Sequence, residues 1–343
     1  MTLRFGLYAS SYANNTDTDL AIAHSIAPRI SVYTWSANGF GTKYTDPSLL
    51  PASDSYGVNF SPSGNAIAVA YAVSPYLSVY PWSAGFGTKY SNPSTVPSGT
   101  GYAVKFSPSG SSIAIASGST PYILAYSWYS TGFGTKYSNP STLPSGAGYA
   151  VDFSPSENDI AITSSLSPYI YVYPWIFSGF GFFFGTKYSN PGTSPTSSGN
   201  GVAFSPTGET LAIAHTQSPY ISAYPWSSGF GTKYANPSVM ATSNGKSVSF
   251  SPSGNTIAVG HDGTPCIMAY PWSSGFGTKY ANPSTLPAGI GYGNSFSNDG
   301  NYIAVAHKTT PFVSAYPWSS GFGTKYANPS TLPTGNGLGI DFR

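Results

Sequence analysis

From Gly101 to Tyr137 the chain alternates in a way that spells out four short strands. Tyr102, Val104 and Phe106 alternate with Ala103 and Lys105, the two-residue period of a β-strand. Ser107-Pro108-Ser109-Gly110 interrupts them with turn chemistry. Ile113-Ala114-Ile115-Ala116 resumes as a second strand in which bulky and small residues alternate and both kinds are apolar. That pattern suits a strand covered on both faces, with one neighbour close. After Thr120-Pro121, Tyr122, Leu124, Tyr126 and Trp128 share one face of a third strand, and Phe133 to Tyr137 forms a fourth and outer one. The stretch from Asn139 to Gly148 is too rich in Pro, Ser and Gly for a strand, so it crosses to the next unit. No segment carries a helical period of useful length.

The same unit recurs. Seven lysines stand in the phrase Gly-Phe-Gly-Thr-Lys-Tyr or its close variant, Lys43, Lys89, Lys136, Lys187, Lys233, Lys279 and Lys325, and seven tryptophans keep the same beat. A period of about 46 residues means one supersecondary unit copied many times, whose faces are buried by its neighbours. Seven units fill the chain without a linker, so residues 1–343 are expected to form one domain. Four antiparallel strands per unit predict an all-β, seven-bladed β-propeller. A linear solenoid would need distinctive polar caps, and none is visible. The chain is also cut out of phase. Its end, Gly337-Leu338-Gly339-Ile340-Asp341-Phe342, matches the first strand Gly148 to Phe153, while the first unit begins with a second strand at Asp19 to His24. The C-terminal strand is therefore expected to join the N-terminal blade and close the ring. Residues 3–13 compete for that place or lie alongside it.

Phe-Ser-Pro-Ser-Gly-Asn followed by Ile-Ala-Val, at Phe60–Val69 and Phe250–Val259, resembles the first turn and second strand of WD40 repeats. The Gly-His and Trp-Asp of that family are missing, and Tyr-Pro-Trp stands where Trp-Asp would, so its binding habits do not transfer. Near-identical Tyr/Ser/Gly-rich repeats of this style look like WD40-like propellers encoded by tailed bacteriophages and marine bacteria. That likeness implies a virion-associated role, in capsid or tail.

Composition narrows the function further. Charged residues make up 7% of the chain, against about 25% in ordinary soluble domains. The net charge of +2 has no basic run, so nucleic acid is not an expected partner. Lysines spread one per repeat read as guards against edge-to-edge sheet pairing. The single cysteine, Cys266, permits no intrachain disulfide. The N-terminus lacks the apolar core of a signal peptide, and no stretch approaches a membrane span. These readings give a cytoplasmic location where the virion assignment does not apply.

Two departures from the repeat are candidate sites. The fourth unit is lengthened between Trp175 and Gly185, which brings Ile176, Phe177, Phe180, Phe182, Phe183 and Phe184 into one hairpin near 176–184. Exposed phenylalanine forgoes about 1.5–3 kcal/mol of burial, so this loop is expected to dock another protein subunit, a virion protein or a second copy; folding back over its own rim is the bland alternative. The second candidate is the residue closing the second strand, His24, Tyr71, His215, His261 and His307, with serine in the remaining repeats. These could form a ligand face, or simply pin the following loop. Blade copies stand too far apart for the ~2.0–2.3 Å bonds of zinc, so no metal and no cofactor is expected.

Catalytic signals are weaker. Asp152, Glu157, Asp159, Glu209, Asp262 and Asp299 look scattered, with no shared column, and no Gly-x-Ser-x-Gly or His-Glu-x-x-His occurs. The expectation is a non-enzymatic structural or protein-interaction module. The alternative is a lectin-like propeller that stacks glycans on its repeated Trp and Tyr.

Overall fold

The computed structural model describes residues 18–179 and 181–343. Residues 3–13, and Phe180 of the lengthened hairpin, lie outside the described residues. Seven antiparallel sheets of three or four strands form a seven-bladed β-propeller. Blade 1 combines Gly337–Phe342 with Asp19–His24, Ile30–Ser36 and Gly39–Lys43. The inner strands of blades 2 to 7 are Ser55–Phe60, Gly101–Phe106, Val151–Phe153, Gly199–Phe204, Gly245–Phe250 and Gly291–Phe296.

The ring closes as its phase demands. Gly337–Phe342 pairs antiparallel with Asp19–His24 through Leu20↔Phe342, Ala21↔Asp341 and Ile22↔Ile340. Thr18 donates its backbone N–H to Arg343 O, Arg343 N–H donates to Asp19 O, and the Arg343 guanidinium meets Asp19 Oδ2 at 2.7 Å. Each inner strand touches the inner strand of the blade before and after it, in an unbroken cycle.

The bulky and small alternation explains the cycle. In blade 2, Ala66, Ala68 and Ala70 pack against Ile113 and Ile115 of blade 3, while Ile67 and Val69 pack against Ala21 and Ala23 of blade 1. The same pairing continues around the ring, and Ala304 and Ala306 of blade 7 receive Leu20 and Ile22 of blade 1. Each blade offers a large face to one neighbour and a small face to the other, so each core belongs to two blades. The rim repeats as well. Trp226 meets Phe230 of its own hairpin edge-on at 5.0 Å and Tyr188 of the previous blade at 5.2 Å. All seven tryptophans are between 2% and 7% exposed, so none offers a stacking platform for a glycan.

The expectation of four strands in every blade needs one correction. In blades 2, 5, 6 and 7 the outer strand shrinks to a single bridge, such as Trp226↔Phe230. The cause is proline at Pro81, Pro225, Pro271 and Pro317. Each accepts from the outer segment, as Gly231 N–H to Pro225 O at 2.8 Å, but has no N–H to return. Blades 1 and 3 carry Thr34 and Ser127 at that position, and there the outer strands run for five residues. Blade 4 keeps Pro174 and resumes pairing beyond it, because its hairpin is longer.

That hairpin folds partly onto the rim. Trp175↔Phe184, Ile176↔Phe183 and Phe177↔Phe182 are its cross-strand pairs. Phe184 is buried in the place that Phe230 takes in blade 5, and Phe182 stacks on Trp175 at 5.5 Å. Ile176, Phe177 and Phe183 remain exposed.

Candidate functional site

The inner strands line an axial lumen. Their fifth residue is half-exposed in every blade but one, flanked by buried fourth and sixth residues. Inside a closed ring of strands, that exposure faces the axis. Read in ring order, the position holds Asp341, Asn59, Lys105, Asp152, Ala203, Ser249 and Ser295. Blades 1 to 4 thus present a charged and amide arc, and blades 5 to 7 present small residues.

The arc is tied together across blades. Asp341 Oδ2 accepts from Asn59 Nδ2 at 3.0 Å and from Phe60 N–H at 2.8 Å. Asn59 Oδ1 accepts from Phe106 N–H at 2.8 Å, and Asp152 Oδ2 accepts from Phe204 N–H at 2.9 Å. Lys105 Nζ lies 3.9 Å from Asp152 Oδ1. An inner strand is a sheet edge with spare N–H groups, and these side chains answer them from the neighbouring blade. Part of each acid stays open to the lumen; the Asp152 side chain is 16% exposed. Burial pushes the Asp341 carboxyl up to about 6, with Lys105, Phe60 N–H and Asn59 pulling the other way. Burial also raises Asp152, against the pull of Lys105 and the Phe204 N–H. Carboxyls lifted toward neutrality beside a cation are the marks of acid–base chemistry.

A second tier lies three residues back along the strands, about 10 Å toward one mouth. It holds Tyr56, Tyr102, Tyr149, Asn200, Lys246, Tyr292 and Leu338. Tyr102 meets Tyr56 at 5.4 Å and Tyr149 at 4.9 Å, an aromatic arc across blades 2 to 4. Lys246 Nζ lies 3.4 Å from Asp262 Oδ1, and Asn244 Nδ2 donates to Asp262 Oδ2 at 3.0 Å. Between the tiers stand small residues. A Cβ on Gly57 would lie 2.9 Å from Ala103 Cα, and one on Gly201 would lie 2.9 Å from Ser247 Cα. Their absence of side chain lets the inner strands touch and keeps the lumen clear between the tiers. Two clefts of about 170 and 340 Å³, around Trp318 and Phe322 near the opposite face, hold none of these charged groups.

The histidine column lies elsewhere. His24, His215, His261 and His307 have 0% exposure and Tyr71 has 1%, so they present no ligand face. Nε2 of His24, His215 and His307 shares a hydrogen bond with Ser31, Ser222 and Ser314 on the next strand, and Tyr71 Oη does the same with Ser78. Met268 replaces that serine in blade 6, and neither ring nitrogen of His261 has a partner. Burial lowers all four imidazoles to about 4. Among the described residues, no three His, Cys, Asp or Glu side chains converge to hold a metal.

Two of the acids that look scattered along the chain, Asp152 and Asp159, fall into columns with acids of other blades. Asp152 and Asp341 share the axial position. Asp159 and Asp19 share another, where each accepts from a tyrosine and from the next blade's tryptophan: Tyr188 and Trp226 for Asp159, Tyr44 and Trp82 for Asp19. The signal was present, since the match of Gly337–Phe342 to Gly148–Phe153 already sets Asp341 on Asp152. Reading the same position in the other repeats finds Asn59 and Lys105.

No protein-family model and no curated protein matches the sequence. Solved structures do. A candidate 6-phosphogluconolactonase from Bacteroides uniformis superposes with a TM-score of 0.75 at 14% identity, over 96% of this chain and 100% of its own. A second, from Bacteroides fragilis, gives 0.73 at 10% identity over 96% and 98%. The periplasmic gluconolactonase of Pseudomonas aeruginosa gives 0.73 at 12% identity over 94% and 98%. At such identities the likeness carries the propeller fold. It also overturns the expectation of a non-enzymatic structural module, because these neighbours are described as lactonases and none as a capsid, tail or phage protein. The virion location falls with it. Among the described residues no helix is long and apolar enough to cross a membrane.

Proposed function

We propose that this chain is a hydrolase of cyclic esters of sugar acids, a lactonase, acting in the axial lumen. The observation that carries the reading is the arc of Asp341, Asn59, Lys105 and Asp152, two raised carboxyls with a lysine between them in an otherwise charge-poor chain. Lactone opening needs a base to take a proton from the attacking water, positive charge for the carbonyl oxygen as it becomes an oxyanion, and an acid for the departing ring oxygen. Asp341, ionised above about pH 6, takes the water's proton. Lys105 faces the developing oxyanion. Asp152, whose proton burial favours, supplies one to the leaving oxygen; two carboxyls in different environments divide acid and base work in this way. The tyrosine arc covers the apolar face of the ring, and Asn200 lies beside its hydroxyls.

The lactonase names of the fold neighbours support the same reaction class. The test is release of acid from glucono-δ-lactone in weak buffer near pH 6.5, measured against the buffer alone. Catalysis above the spontaneous rate is expected, with Asp341→Asn and Asp152→Asn each lowering kcat by about 10²- to 10⁴-fold. Wild-type protein that opens the lactone no faster than buffer overturns the reading.

A further inference from the structure

Within the lactonase reading, on which this step rests, the mouth of the lumen bears on which lactone enters. Of its seven tier positions one carries a cation, Lys246, and that lysine already faces a counter-ion. Asp262 stands where the other blades have Ser25, Ala72, Gly118, Ser165, Thr216 and Lys308. Its Oδ2 is held by Asn244, while its Oδ1 is buried without a hydrogen bond. The charge of Asp262 is therefore directed at Lys246. Asp54 adds a further negative charge near Tyr56, and Lys308 is exposed at the edge of blade 7. A phosphate dianion is held elsewhere by converging, uncommitted Arg or Lys donors. Here it would meet one lysine committed to a carboxylate and one solvated at the rim.

We infer that the site takes an uncharged lactone in preference to a phosphorylated one, and that Asp262 sets this preference by neutralising Lys246. The residue is a specificity determinant and takes no part in bond breaking. Removing its charge turns Lys246 into an available phosphate ligand.

The experiment compares kcat/KM for glucono-δ-lactone and for its 6-phosphate, in wild type, Asp262→Asn and Asp262→Ser. Serine is what Ser25 and Ser165 supply at this position in blades 1 and 4, so it guards against a folding defect in the asparagine variant. Wild type is expected to favour the uncharged substrate by at least about tenfold. Both variants should raise the ratio of phosphorylated to uncharged kcat/KM by about tenfold, through KM. Lys308→Ala should leave the ratio where it was. Equal use of both lactones by wild type, preference for the phosphate, or an unmoved ratio in both Asp262 variants overturns the inference while leaving lactonase activity standing. Turnover of neither lactone sinks the lactonase reading, and this inference with it.

Discussion

The rim and the axis of this molecule are built from the same seven repeats and treat them in opposite ways. At the rim, Trp, Phe and Tyr recur in nearly every blade with the same edge-on geometry, as in Trp226–Phe230, Trp272–Phe276 and Trp318–Phe322 at 4.9–5.0 Å. At the axis, the fifth residue of the inner strand is Asp, Asn, Lys, Asp, Ala, Ser and Ser in ring order. Packing between blades poses one steric problem seven times, so it receives one answer. A lumen is a single shared space, and seven identical charges around it would repel one another. Where a ligand is asymmetric, the residues that meet it must differ. The repeated residues are scaffold, and the unrepeated ones are where chemistry can sit.

The largest test of this division is acid. The four buried histidines belong to the repeated scaffold and stay neutral down to about pH 4. Unfolded histidine binds its proton near 6.5, so between 6.5 and 4 the unfolded chain holds more protons than the folded one. Stability from these groups is complete above about pH 7 and is lost as pH falls toward 4. Each contributes about 3 kcal/mol over that range. Asp341 and Asp152 run the other way, since their raised carboxyls favour the folded state at low pH, an advantage that Asp341 loses as pH rises through about 6. Two opposing groups against four leave a net acid lability that is a large share of a whole domain's stability. Urea denaturation at pH 7 and pH 4.5 should show a large fall in midpoint, and an unchanged midpoint would break the assignment.

Next in size are one substitution at the rim and one at the axis. Trp226→Ala removes a buried indole that packs on Phe230, Tyr188 and Phe204 and donates to Asp159 Oδ2 at 3.0 Å. It should cost about 3–5 kcal/mol in chemical denaturation while leaving lactone turnover per folded molecule unchanged. Asp341→Asn should do the reverse. The amide can keep its carbonyl on Phe60 N–H and sheds a buried charge, so stability should shift by less than about 1 kcal/mol. Turnover should fall by at least about a hundredfold, and the wild-type rise in rate through about pH 6 should disappear. Equal losses of stability in both variants would erase the distinction between rim and axis.

What could be read from the chain follows the same line. Phe-Ser-Pro-Ser-Gly-Asn, Ile-Ala-Val-Ala and Tyr-Pro-Trp announce the blades because they satisfy local rules, and the out-of-phase Gly337–Phe342 announces the closure. The missing outer strands were legible too, in Pro81, Pro225, Pro271 and Pro317, but only with the knowledge of which partner their N atom faces. The axial arc was hidden by treating each acid singly. Asp152 and Asp341 are separated by most of the chain and meet Lys105 only once the ring is closed. The phenylalanines of the fourth hairpin divide in a way that their number alone does not show. An insertion shifts the repeat, so that Phe184 fills a scaffold place while Phe177 and Phe183 stay outside.

The smallest effect compares two adjacent blades of the scaffold. In blade 5, Ser222 Oγ lies 3.0 Å from His215 Nε2, and both side chains are buried. In blade 6, Met268 takes the serine's place and contacts Tyr270 Oη through sulfur at 3.3 Å, leaving His261 without a partner. Ser222→Ala removes little volume and strands a buried nitrogen, so it should cost about 1–3 kcal/mol. Met268→Leu conserves volume and breaks no histidine bond, so it should cost less than about 1.5 kcal/mol. Urea midpoints of the two variants measure the difference directly. A Met268→Leu loss equal to that of Ser222→Ala would mean that blade 6 holds its histidine by some contact other than packing, and that even the repeated scaffold is not answered in one way.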